Sequence, residues 1–423
     1  MKKLLGLLMV LAVAMPASAE ILKNFELTGD VQVIASDVRH NSVAAYTTCT
    51  NLRVLAGGSF DVAENVRANL MFQYLNVWGS DPTVASPSVG TVGKSANDYL
   101  DDIRVVEANV EMKEIFGWLD VKVGRQFYGD EDSTVMYIGP RYYNAEMNPY
   151  SAFNYATALD AVKLSYANDF VNVNVIAGEA ETYDGTEIID EGDKHGMYGV
   201  DAKFRINDEL SAQVYGYNFK SLMGFDNFGF YGGKVTFAPE AFLVSAEYAR
   251  NFAGEKVLGE IHDNPYMVKA DAKVFLDAFT PRATFFYSKN FMGFGNYRPG
   301  LLVGDLLNNY ISDPFEGGLR MYNLGIDYKY EKWTFALDGF AFQDRTAKHA
   351  ATLEADLVVK YAYNDNIELF AGAGYAKYKE NLKNVFGTDN TKGQVGACNV
   401  PEADLATTLE KLQVTAPVFA PPM

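Results

Sequence analysis

Beyond residue 19 the chain has no run of about 18 consecutive apolar residues, so it contains no transmembrane helix. It also lacks any Pro/Gly/Ser-rich linker or shift in composition that would divide some 400 residues into two or three soluble domains. Histidine is scarce: His40, His195, His262 and His349 are the only four. All fall in loops or at strand ends of the reading given below. There is no Gly-x-Ser-x-Gly and no His-Glu-x-x-His, and a hydrolase needs a nucleophile, a base and an orienting group close together. Gly232-Gly233-Lys234 is followed by Val, not Ser or Thr, and Gly372-Ala-Gly374 lacks the third glycine of a dinucleotide site. No enzyme and no cofactor is expected. Basic charge is short as well, with 36 Lys and Arg against 54 Asp and Glu and a net charge of −18, which argues against nucleic acid as a partner.

The first residues are Met1-Lys2-Lys3, then an apolar run over 4–15, then Pro16-Ala17-Ser18-Ala19. A positive start, a short apolar core and an Ala-x-Ala site describe a secretory signal peptide over 1–19, with one domain over 20–423. Cleavage would remove Lys2 and Lys3 and deepen the negative charge. The lack of a membrane helix does not make the remainder soluble. A barrel strand spans with about 10 residues and is apolar only at alternate positions. Mean hydropathy can then sit near zero, as here at −0.10. Tyr (27) and Phe (28) are abundant, as strands favour.

Period-two patterns fill the chain. In 25–33, Phe25, Leu27, Val31 and Val33 oppose Glu26, Thr28, Asp30 and Gln32. In 322–330, Tyr322, Leu324, Ile326 and Tyr328 oppose Asn323, Asp327 and Lys329. Such segments are strands with one apolar and one wet face. Seventeen can be counted, separated alternately by tight turns and long polar loops. That alternation is the grammar of an outer-membrane β-barrel, with periplasmic turns and extracellular loops. A closed single-chain barrel needs an even number, because an open edge cannot face lipid. The expectation is therefore an all-β transmembrane antiparallel barrel of about 18 strands, with 16 as the alternative and the last strand within 407–419. Trp78, Trp118 and Trp333 lie at strand ends, where membrane interfaces collect tryptophan. A large soluble β-protein is the structural alternative.

One stretch stands apart. Residues 119–126 alternate as a strand, and then about thirty residues to Ala158 show no period. A loop that long in a compact domain is usually functional. The strand end Val121-Lys-Val-Gly-Arg-Gln126 resembles that of bacterial outer-membrane porins, most closely the alginate-export-type channels. The resemblance implies a barrel of about eighteen strands whose following loop folds into the lumen and narrows it. Alginate-export channels line their pore densely with Arg, whereas this chain has only twelve.

Parity puts Lys122, Gly124 and Gln126 in the lumen and turns Arg125 outward, unless a bulge at Gly124 re-aims it. The candidate constriction is Arg67, Lys122, Arg125, Gln126, Asp130, Asp132, Tyr142 and Tyr143. Lys203, Arg205, Lys269, Asp271, Asp327 and Lys329 supply lumen charge of both signs. Acidic clusters at 130–132 and 184–193 are read as solvated loop charge, since neither has EF-hand spacing, and no metal site is expected. Cys49 and Cys398 are read as loop residues that meet where first and last strands adjoin, which suggests a disulfide, against two free thiols. The expected function is an outer-membrane channel for small hydrophilic solutes, with sugars or oligosaccharides suggested by the loop tyrosines. Membrane lipid and lipopolysaccharide are the expected partners. A plugged adhesin or structural barrel is the alternative, and an outer-membrane enzyme the third reading. Monomer and trimer share this grammar.

Overall fold

The computed structural model describes residues 23–40, 46–78, 103–140, 158–180, 195–222, 225–253, 265–295, 297, 299–303, 318–379 and 390–400. The first strands are β1 (Lys23–His40), β2 (Tyr46–Ala63), β3 (Val66–Trp78), β4 (Ile103–Ile115) and β5 (Leu119–Gln126). Two short strands follow, β6 (Tyr128–Gly129) and β7 (Tyr137–Ile138). The wall resumes with β8 (Leu159–Ala167), β9 (Val171–Ala180), β10 (His195–Arg205), β11 (Leu210–Leu222), β12 (Phe225–Phe237) and β13 (Phe242–Ala253). It continues with β14 (Tyr266–Val274), β15 (Phe279–Lys289), β16 (Leu319–Tyr330) and β17 (Trp333–Asp344). Last come β18 (Thr352–Asn364), β19 (Ile367–Lys377) and β20 (Asn390–Val400).

Eighteen of these form one antiparallel sheet, and β6 and β7 form a separate hairpin. β20 bonds to β19 on one side and to β1 on the other, so every strand of the ring has two neighbours. The eighteenth strand therefore exists but lies at 390–400, not within 407–419. Its Asn-Thr-Lys-Gly-Gln sequence has little apolar alternation, and its place is set by pairing on both edges. The candidate signal peptide lies outside the described residues.

The two-residue periods sort as expected. Tyr322, Leu324, Ile326 and Tyr328 are exposed on the outside of the ring, while Asn323 is buried within it. Outward rings stack in belts. Trp333 lies against Phe335 and Tyr361, Phe279 against Tyr328, and Trp118 against Tyr166 near the tight turns. Tyr248, Tyr266 and Tyr287 stack near the long-loop ends. The side chain of Trp78 is outside the described set. Tight turns use left-handed residues such as Asn65 (φ 60°) and Glu331 (φ 51°).

Pairing runs without interruption through Gly124, so no bulge re-aims Arg125. Gly124 sits at φ 118°, and a Cβ there would come within 2.3 Å of the Ala108 carbonyl oxygen, so glycine is required for sheet closeness. The cysteine expectation is overturned by the same kind of register. Cys49 is in β2 opposite Ser36, and Cys398 is in β20 opposite Val33. β1 runs between them, placing their backbones two strand spacings, about 10 Å, apart before any offset along the strands. A disulfide needs Cα atoms within about 7 Å.

Candidate pore and constriction

Gln126 ends β5 fully buried, its amide donating to the carbonyls of Ala161 (2.9 Å) and Gly124 (3.1 Å). It thus locks the strand end to β8 and is not open to a passing solute, which corrects its placing as a pore-lining group. The chain then turns inward as the β6–β7 hairpin. Val135 and Met136 are almost completely buried inside the ring. The Ser133 hydroxyl accepts from the amides of Met136 (3.1 Å) and Val135 (3.3 Å), and Gly129 (φ 93°) supplies the bend.

The acidic tip of this hairpin meets cations of the wall. Asp130 accepts from Lys203 of β10 at 2.6 Å, and Asp132 lies 3.8 Å from Lys234 of β12. The Tyr128 hydroxyl is 3.3 Å from that of Tyr217 on β11. Burial pushes the Glu131 carboxyl above its ordinary value, opposed by Arg53 of β2 and reinforced by Asp132. β2 and β12 flank β5 in opposite directions around the ring, so the tip lies across the lumen. The cluster at 130–132 lies within the ring and not on an outer loop, while its Asp132 side chain stays largely exposed.

A second inward segment follows β15. Phe294 forms a parallel bridge with Met136. The Tyr137 amide donates to the Phe294 carbonyl (3.0 Å), and the Phe294 amide to that of Val135 (2.8 Å). Asn251 of β13 clasps Met292 in both directions, at 2.8 and 3.0 Å. The Phe294 ring packs 4.7 Å from that of Phe219. Gly300 (φ 81°) then lets three successive amides point at β18. Leu301 donates to Asp356 (2.9 Å), and Leu302 and Val303 donate to the two oxygens of Glu354 (2.7 and 3.0 Å). Both carboxylates are buried. The sequence reading counted this segment only as a loop, although Phe291, Met292 and Phe294 inside a polar stretch were the available signal.

The inward face of the wall carries both signs of charge. Arg67, Glu111, Lys122 and Lys163 are successive partners across β3, β4, β5 and β8. Arg67 also donates to Ser59 (2.5 Å) and to Glu26. Lys269 sits 3.2 Å from Asp271 and 4.1 Å above the Tyr297 ring. Arg282 joins Asp327 (3.2 Å) and Asp338. A buried Arg53–Asp30 pair (2.8 Å) joins β2 to β1. Arg53, Lys163, Lys234 and Arg282 were not singled out as site residues; alternation in β8 and β15 would have found Lys163 and Arg282, whereas Arg53 and Lys234 share their inward faces with Leu55 and Phe230.

Several expected members are elsewhere. Arg125 is not in the pore: it faces outward on the same side as Val123 and Val110, in a two-pronged pair with Asp160 at 2.8 Å on both oxygens. Arg205 is an exposed turn-end residue bridging Asp208 at 2.8 Å. Lys329 keeps the inward side of β16 and lines, with Asp30 and Glu368, a cavity of about 530 Å³ at the turn end of the ring. Tyr142, Tyr143 and the cluster at 184–193 lie outside the described residues. Among the described residues no group of three or more His, Cys, Asp or Glu side chains could hold a metal ion.

No known family profile matches the sequence, and no characterised protein matches it at significant similarity. Solved structures do match. OccAB1 of Acinetobacter baumannii superposes with TM-score 0.63 at 11% identity, over 90% of this chain and 97% of its own. OpdK of Pseudomonas aeruginosa, solved with vanillate, gives 0.61 at 8% identity, over 90% and 99%. OccK11 of Pseudomonas aeruginosa gives 0.58 at 9%, over 90% and 97%. The fold is that of bacterial outer-membrane porins. All three are Occ or Opd proteins, so the alginate-export likeness read from the β5 strand end gains nothing from them.

Proposed function

We propose that the chain is an outer-membrane channel that passes small hydrophilic solutes by diffusion, without catalysis. The observation that carries this reading is the β6–β7 hairpin, folded into a ring whose outside is apolar and whose inside is charged. A barrel apolar outside and polar within suits a lipid bilayer around a water path. The hairpin narrows that path, and its tip is held to the wall by an ion pair and a hydrogen bond. Tight turns would face the periplasm and long loops the exterior. Of the loop tyrosines behind the sugar suggestion, Tyr128 is buried against Tyr217, while Tyr142 and Tyr143 lie outside the described residues, so sugars remain the suggestion of the sequence. The solute class is therefore small and hydrophilic, with OpdK's vanillate one example of what such a fold has been found to hold. The test is planar-bilayer recording of the purified protein. Discrete current steps are expected, and they should enlarge when 130–136 is shortened.

A plugged barrel is the second reading, and one observation favours it. The two inward segments share one apolar cluster with the wall, including Phe219, Phe230, Phe291 and Val303. A correctly folded but electrically silent barrel would establish that reading in place of the channel.

A further inference from the structure

The cavity of about 530 Å³ at the turn end of the ring is lined by the ends of β16–β19 and by Asp30 of β1. Its charges are sorted by flank. Lys329 and Lys332 lie on the β16–β17 flank beside Glu331, and Asp365, Glu368 and Asp30 lie on the flank from β18 to β1. The acidic flank is close-set. Glu368 and Gln32 both pair with Asn399 of β20, and Asp30 is the next inward residue of β1 toward the turns.

Asp30 marks this flank as a site. It is only 4% exposed, and a carboxylate so buried needs donors at both oxygens. Arg53 donates to Oδ2 at 2.8 Å, whereas Oδ1 receives no hydrogen bond from any described residue. Nor does Arg53 serve Asp30 alone, because its charge also acts on Glu131 of the hairpin tip. One guanidinium is thus divided between two carboxylates. Glu368 has a loose partner: Lys360 stands 3.6 Å away, and both side chains are part exposed. Among the described residues Asp365 makes no ion pair. The cations of the cavity do not reach Asp30. Lys332 donates to the Tyr363 carbonyl (2.9 Å), and four strands, β17 to β20, separate Lys329 from β1, roughly 24 Å along the wall. What Oδ1 lacks is a donor, and what the flank lacks is positive charge. A primary ammonium supplies both, with three N–H donors on one cation.

We propose that this cavity is an exit subsite for solutes carrying a primary ammonium group, which donates to Asp30 while Glu368 and Asp365 supply the surrounding negative charge. The proposal rests on the channel reading above and narrows its solute class. A cationic solute that passes the acidic hairpin tip meets a second acidic station on the turn side. From there it leaves toward the periplasm.

The test is isothermal titration calorimetry of the folded full-length barrel in detergent. The probes share one four-carbon skeleton: 1,4-diaminobutane, 1,4-butanediol and succinate. The diamine is expected to bind saturably, at least about tenfold tighter than the diol or the dianion. Asp30→Asn should weaken it about tenfold, and Glu368→Gln should weaken it by a smaller factor. If Asp30→Asn fails to fold because Arg53 loses its pair, the ranking of the three probes on the wild type and the Glu368→Gln result decide. Equal binding of diamine and diol overturns the proposal, and so does tighter binding of succinate, which would make Lys329 and Lys332 the dominant contacts. A diamine affinity unchanged in the folded variants would place the binding elsewhere and also overturn it. So would displacement of the diamine by an equal concentration of Mg²⁺, since the flank would then be a metal site. Calorimetry does not depend on conduction. A silent barrel that ranks the probes in this order keeps the ammonium site and loses the channel reading, whereas a conducting barrel that does not rank them loses the site alone.

Discussion

The two segments that enter the lumen are held by different physics. The β6–β7 hairpin reaches the far wall through ion pairs whose side chains are close to half exposed, 42% and 44% for Lys203 and Asp130. Exposed pairs of this kind contribute about 0.2–1 kcal/mol and weaken with salt. The segment at 290–303 is held by buried carboxylates that each have amide donors, and by phenylalanine packing. Hydrogen bonds to charged groups contribute about 1.5–3 kcal/mol each, and breaking them in a buried site leaves desolvated amides behind. The lesson is a division of labour. The second segment is a fixed abutment, bridged at Phe294 to the buried β7 side of the hairpin, and the acidic tip at 130–132 is the part of the constriction that can yield.

The strongest challenge to this division is Glu354→Gln. An amide nitrogen would replace one acceptor for Leu302 or Val303, at an expected cost of about 2–3 kcal/mol. Single-channel conductance should rise and flicker as 300–303 leaves the wall. Wild-type conductance with normal folding would show that the abutment does not depend on this clasp. Phe294→Ala comes next. It removes the ring from Phe219 and Phe228 but keeps the backbone bridge, and about 2 kcal/mol is expected from a partly buried aromatic, below the usual range for core phenylalanine. Hairpin protection in hydrogen exchange should fall at Val135 and Tyr137, whereas β10–β12 should be unaffected.

Lys203→Gln should have a smaller effect, about 0.2–1 kcal/mol. Its conductance change should match that of Asp130→Asn and not add to it, and both should converge on the wild type as salt is raised. Additive effects would mean that the two residues act separately. The smallest effect concerns pH. Burial raises the Glu131 carboxyl above its ordinary value, so the docked hairpin bears the cost of a desolvated carboxylate above that raised value. As pH falls through it, Glu131 takes up a proton in the docked state and docking is favoured. Conductance should therefore decline on mild acidification, and Glu131→Gln should flatten this dependence. A rise in the wild type would reverse the assigned role.

Much of the wall was legible because a strand's side-chain period is two and a bilayer punishes error on its outer face. Leu324 and Asn323 could be sorted from sequence, since a charge at the lipid midplane costs about 2–4 kcal/mol. The site was less legible. Gln126 points inward as parity requires, but burial turns it from a pore group into a brace. Arg125 was ambiguous only because a bulge could not be excluded by eye, and uninterrupted pairing through Gly124 settles it. Cys49 and Cys398 were misread because strands continuing beyond their apolar segments have no periodic signature there.

What the sequence alone determined is the ring: alternating faces, tight turns alternating with long loops, and the need to close. Those properties are local, or follow from the bilayer as solvent. Only the tertiary structure decided what fills the ring. Residues 127–140 and 290–303 carry no period, and their partners are Lys203, Lys234, Asn251 and Glu354, remote in the chain. Such pairings depend on which strands the closed sheet brings opposite one another, a distance that no local pattern encodes.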